Sequence, residues 1–240
     1  MNGFVKIGAV VGILLCGSGV VSTVEAQVTP SGGGYLFRQK YSKGMKLVYD
    51  FTVNAEVVGM PGGGKNVVKA TLTQEVLDVK NKVSSVKVTS SAMTMNGKPM
   101  PGGAGAGNSA IVKYDANGKL IGGKGGDDLS ASMGFTPPNR PLKIGETFSS
   151  GKNNSTPNLT AMTINYKFLG LKTVNGQQVA QFAVNSSMSG QANMTSVGTL
   201  LINMKDGFPV RSTITMNMSA SMKQGAGKMQ MKNVTTLVRR

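Results

Sequence analysis

From Leu47 to Val57 the chain alternates without a break: Leu47, Tyr49, Phe51, Val53, Ala55 and Val57 are apolar, and the residues between them are mostly polar. A period of two puts every second side chain on one face of a pleated strand, so this segment predicts a β-strand with one face buried and the other wet. The pattern returns at Val68, Ala70 and Leu72, at Met162, Ile164, Tyr166 and Phe168, and at Ala180, Phe182 and Val184. Between such runs lie the pairs Asn117-Gly118, Asn175-Gly176 and Asp206-Gly207, which supply the positive φ angles of tight hairpin turns. Beyond Ala26 no helical period of useful length occurs. The expected fold class is all-β, mainly antiparallel.

The chain also resembles itself. Val76, Leu77, Asp78 and Val79, then a turn and Val83 to Val88, parallel Phe168 to Leu171, a longer turn and Val179 to Val184. Ile111 to Ile121, with its Asn-Gly turn, likewise parallels Leu200 to Val210 with its Asp-Gly turn. Repeats of roughly 100 residues suggest a duplication in which neither copy covers its apolar face alone. This predicts a two-repeat curved sheet, an incomplete barrel or a sandwich, with β units over 27–124 and 141–240 and a Gly- and Pro-rich linker over 125–140. Asp127 is placed to cap one helical turn, so at most one short helix is expected near 127–134, besides that of the signal peptide.

Residues 1–26 read as that signal peptide, cut after Ala26, which predicts an exported protein, periplasmic or extracellular. A membrane anchor is the competing reading. Against it, the apolar run Ile7 to Val21 holds four glycines and falls short of the about 20 residues that a span needs. Cys16 follows Leu15, where a bacterial lipoprotein signal has a small residue, so this single cysteine is expected to leave with the leader. Without it the mature chain has neither disulfide nor thiol chemistry.

Lysine and arginine number 26 against 10 acidic residues, a net charge of +16, and there is no histidine. Such a charge selects anionic partners. Export, the lack of tryptophan and the few other aromatics argue against nucleic acid, which needs rings for base stacking. The densest basic group, Arg38, Lys40, Lys43 and Lys46, is the candidate for docking on an anionic membrane surface. The other reading is that lysine keeps a β protein soluble and blunts its sheet edges.

Catalytic constellations are weak. Gly59 to Asn66 reads GMPGGGKN, one residue short of a phosphate loop, but Val67 to Glu75 alternates like a strand where that loop needs a helix, and Asn66 replaces the magnesium-binding hydroxyl. The same Met-Pro-Gly-Gly string returns at Met100, as a flexible loop would. Ser84 with Lys87 and Ser149 with Lys152 have a nucleophile–lysine spacing that works on a helix; on a strand the two point to opposite faces. Glu56 with Glu75 across a hairpin, and Asp127 with Asp128, are the remaining carboxylate pairs. These constellations point to no metal site, cofactor or enzymatic activity.

Methionine is the unusual component, at 16 residues. Counting by two, Met216, Met218 and Met222 fall on one strand face, and a turn near Gln224 to Gly227 brings Met229 and Met231 onto the same face. Met93 and Met95 repeat the spacing in the first half. Three readings stand: filling of an irregular core, a pocket for acyl chains lined by adaptable thioethers, or Cu(I) ligation by soft sulfur.

Tyr41 to Leu47, with its Lys-Gly opening, and Pro138 to Phe148, which introduces the second unit, resemble bacterial exported two-repeat β-sheet proteins of unknown function. More distantly the pattern resembles the periplasmic lipoprotein-carrier architecture, an incomplete β-barrel around an apolar hollow. That resemblance implies non-enzymatic binding of a lipid or other apolar ligand, with the basic exterior facing anionic membrane. A structural scaffold without small ligand is the alternative, and a methionine-based Cu(I) binder the third.

Overall fold

The structure, a computed structural model, describes residues 28–59, 63–100, 109–124, 135–152, 163–188, 192–221 and 228–240. The expected leader with Cys16, the helical turn expected near 127–134, the Asp127-Asp128 pair and Met222 lie outside the described residues. Among the described residues there are strands and no helix.

A short hairpin, β1 (Val28–Ser31) and β2 (Gly34–Phe37), stands apart from one large antiparallel sheet. The sheet contains β3 (Lys46–Val58), β4 (Gly64–Lys80), β5 (Val83–Ser90), β6 (Thr94–Met95), β7 (Lys98–Pro99), β8 (Ser109–Tyr114) and β9 (Leu120–Lys124). It continues with β10 (Thr147–Lys152), β11 (Thr163–Val174), β12 (Gln177–Met188), β13 (Ala192–Asn203), β14 (Pro209–Ser221) and β15 (Lys228–Arg239). In space the order is β10-β11-β12-β13-β14-β15-β3-β4-β5-β8-β9, with β6 and β7 pairing off β4. The sheet is curved and open, not closed into a barrel. Pairing of β15 with β3 joins the two halves, with Leu237 opposite Phe51 and Met231 opposite Val57.

The internal similarity is repeated in the hydrogen bonding. Gly44 N–H donates to the Val76 carbonyl at 2.8 Å, and Val76 N–H to the Met45 carbonyl at 2.9 Å. In the second half, Gly145 N–H donates to the Phe168 carbonyl at 2.7 Å, and Phe168 N–H to the Glu146 carbonyl at 2.9 Å. Gly44 and Gly145 have φ of +80° and +88°, a region that favours glycine. Just beyond, both long strands bulge, between Val76 and Asp78 in β4 and between Phe168 and Gly170 in β11.

Asn175-Gly176 forms a two-residue turn with both φ positive, as its sequence predicts. Asn81-Lys82 and Asn96-Gly97 form turns of the same kind. The Asn117-Gly118 and Asp206-Gly207 turns are longer, with positive φ at the glycine alone. Aspartates hold them: the Asp115 carboxylate accepts from Asn117 and Lys119 N–H at 2.8 and 2.9 Å, and that of Asp206 from Phe208 N–H at 3.0 Å.

Register places the apolar alternation of every long strand on one common inner face. In the second half this face is aromatic: Phe168, Phe182, Phe148 and Tyr166 pack with Phe135 and with Phe37 from the β1–β2 hairpin. Phe182 meets the rings of Phe37, Phe135 and Phe168 at centroid distances of 5.1–5.2 Å. In the first half it is built from Val76, Val86, Val88, Val112 and Tyr114. The segment from Val28 to Met45 covers both halves at this end of the sheet. Tyr41 stacks on Tyr114 at 5.4 Å and meets Phe208 edge-on at 5.1 Å, so a single ring bridges the two halves. Lys40 N–H donates to the Asp206 carbonyl, and a Cβ at Gly207 would run into the Arg38 carbonyl, so this turn tolerates no side chain there.

Candidate functional site: the methionine-lined inner face

Beyond the reach of that covering segment the inner face continues with a different character. On β14 and β15, Met218 stands directly opposite Met231, Met216 opposite Asn233 and Ala220 opposite Met229. Following Met218 outward gives Met194 on β13 and then Met188 on β12, while Met231 faces Val57 on β3. A line of four methionines thus crosses four adjacent strands, continued by a valine. Met216, Met218, Met229 and Met231 share the face expected for them and are half-buried, as are Met188, Met194, Val53, Ala55, Val57 and Val68. These side chains are neither sealed in the core, as Phe168 and Phe182 are, nor isolated on the surface.

Met188 and Met194 were legible in part. Val184, Ser186 and Met188 keep one parity on β12, and Met194 to Ile202 keep one on β13. That both methionines fall in line with Met218 is a matter of register, which local alternation does not state.

Polar groups interrupt the apolar surface at several places, among them Asn66 opposite Ala55 and Thr235 opposite Val53. Ser186 and Ser196 share a 2.6 Å hydrogen bond between facing hydroxyls. Among the described residues, Asn233, in the centre, has a buried Oδ1 without a partner, as has the Tyr49 hydroxyl nearer the covered end. Burial raises the Tyr49 pKa well above the ordinary tyrosine value, opposed by the nearby Arg239 guanidinium, which pairs with Asp206 at 2.8 Å.

The opposite, outer face carries the charge. Lys46, Lys65, Lys69, Lys87, Lys113, Lys167 and Lys232 all occupy outer-face register positions and are exposed. An open groove of about 420 Å³ lies toward the methionine end, lined mainly by outer-face residues such as Glu56, Thr195, Asn217, Ser219, Gln230 and Lys232. Of the basic group singled out in sequence, Lys43 and Lys46 are exposed and Lys40 half-buried. Arg38 is committed internally: its guanidinium donates to Asn117 Oδ1 at 2.6 Å and Asn139 Oδ1 at 3.0 Å, clasping two loops.

The carboxylate pair considered above is not formed. Glu56 lies opposite Lys65 and Lys232, and Glu75 opposite Lys46 and Lys87, at opposite ends of the β3–β4 hairpin. Ser84 is buried on the inner face while Lys87 is exposed on the outer, as expected for a strand. Lys65 and Asn66, the end of the phosphate-loop-like string, lie in β4, and Asn66 Oδ1 accepts from Asn96 Nδ2 at 2.9 Å.

No protein-family model matches the chain, and no curated protein is significantly similar to it. Eight chains of solved structures match. One of them, described as lipid–protein interactions in lipovitellin, is 10% identical, with 84% of this chain and 25% of that chain covered at a TM-score of 0.49. The chain therefore spans about a quarter of the length of that protein.

Proposed function

We propose that the protein is an exported, non-enzymatic binder of lipid or another apolar ligand. The methionine-lined part of the inner face receives the apolar portion, and the lysine-rich outer face lies toward anionic membrane. The observation that carries this reading is the run of half-buried thioethers and valines continuing the core surface past the segment that covers it. Apolar area left partly in water gains roughly 25 cal/mol per Å² when a chain covers it, and unbranched methionine adapts to chains of differing shape. Segregation of lysine onto the other face keeps charge away from the ligand and complements anionic headgroups. Native mass spectrometry of the mature protein, gently purified from its own envelope, tests the reading. Bound lipid mass, and displacement of a fluorescent apolar probe by lipid extract, are the expected results; a bare mass together with failure to bind the probe would overturn it.

A structural role has one observation in its favour. β9 and β10 each have a sheet neighbour on one side only among the described residues, and Ile111 and Ile121 near the β9 edge are exposed. An open edge templates further strands. Scattering-derived mass over a concentration series separates the two: steady growth in size without bound lipid favours the scaffold.

A further inference from the structure

Met188, Met194, Met218 and Met231 face one another in turn across β12, β13, β14 and β15, on the inner side of the sheet. Neighbouring strands lie about 4.8 Å apart and facing Cβ atoms about 5 Å. Each methionine adds rotatable bonds beyond Cβ, so adjacent sulfurs can converge on one point without backbone movement. We infer that this row is a thioether site for a soft monovalent cation, Cu(I).

The chemistry of the surroundings narrows the choice of ion. A thioether is neutral and soft and needs no deprotonation, which suits Cu(I) and offers little to hard cations. Among the described residues no group of His, Cys, Asp or Glu is arranged to hold a metal. The carboxylate nearest the row in register, Glu56, points to the outer face opposite Lys232. The sulfur–copper bond must therefore supply the affinity in a chain of net charge +16, and calcium, magnesium and zinc should not compete.

Methionines that fill space look different here. Met204 packs against the aromatic cluster and Met45 against the valine cluster. Met45 and Met204 are half-buried as well; the four of the row differ in standing together, with Met216 and Met229 beside them on the same face. The site does not depend on the lipid proposal, since copper would bind the row with no acyl chain present.

The test is an anaerobic titration of the mature protein against the coloured Cu(I)–bicinchoninate complex, read together with NMR of ¹³C-methyl methionine. The protein should withdraw copper to a stoichiometric plateau, unaffected by excess zinc or calcium. The methyl signals of the four row residues should move while those of Met45 and Met204 stay. Met218→Leu with Met231→Leu, which keeps size and apolarity, should weaken binding about tenfold or more, at least what loss of an outer-shell partner costs a metal site. Met188→Leu with Met194→Leu is the second pair should the first disturb folding. No withdrawal of copper, unchanged affinity in a folded double variant, or shifts equally strong at Met45 and Met204 would each overturn the assignment.

Discussion

Met218 faces Met231 across the β14–β15 pair, and the line they define runs through Met194 on one side and Val57 on the other. This single register relationship turns scattered residues of four strands into one apolar stripe. Because the stripe is half-buried, its residues should serve binding more than folding.

That difference can be measured. Met218→Gln with Met231→Gln keeps side-chain length but removes apolarity. It should abolish displacement of an apolar fluorescent probe while costing about 1 kcal/mol per site in urea denaturation, because part of each side chain already lies in water. Phe182→Ala removes a fully buried ring in contact with four others and should cost about 3–5 kcal/mol. Equal stability losses would mean that the methionines are ordinary core.

Glycines test the duplication. Gly44 and Gly145 have matched φ and matched hydrogen bonds, and a Cβ at either meets nothing within 4 Å. Their replacement by alanine should therefore cost only conformational strain, about 1–2 kcal/mol each, and the double variant should be additive. Gly198→Ala differs in kind: its Cβ would sit 2.8 Å from Ile214 Cα and closer still to the Thr213 carbonyl, forcing β13 from β14. Its loss in thermal midpoint should exceed that of Gly44→Ala.

Much of this architecture is local and could be read early. The alternation from Leu47 to Val57 specifies both a strand and its inner face, because a one-residue slip would turn Tyr49 and Phe51 to water. Val76 to Val79 and Phe168 to Leu171 looked alike in sequence, and they share a bulge that a repeated strand–turn–strand unit carries with it. Register between strands distant in sequence was not legible. Nothing local says that β15 pairs with β3, so Val57 could not be placed beside Met231. For the same reason Arg38 looked like a free cation, although its partners Asn117 and Asn139 are brought to it only by tertiary folding.

The basic residues should separate accordingly. Lys43→Glu with Lys46→Glu, both exposed, should weaken binding to vesicles containing anionic phospholipid more than tenfold, since each lysine near such a surface contributes about 1 kcal/mol. The effect should shrink in high salt and leave stability unchanged. Arg38→Ala should do the reverse, lowering stability with little effect on vesicles. Vesicle binding that ignores the lysine pair would remove that end of the molecule from the docking surface.

Alkaline pH offers a test of the two covered cores. Burial pushes the Tyr114 and Tyr166 hydroxyls up to about 12, from the ordinary tyrosine value of 10.0. A folded pKa above the unfolded one means that the native state holds its proton more tightly. The associated stability is complete below pH 10 and is lost as pH rises toward 12, by about 1.4 kcal/mol per pH unit for each tyrosine. Urea denaturation from pH 8 to 11.5 should show that decline. Tyr114→Phe and Tyr166→Phe should each flatten the slope above pH 10 while changing little at pH 8. A slope above pH 10 that neither replacement changes would place these two rings in water and remove the seal over both halves of the inner face.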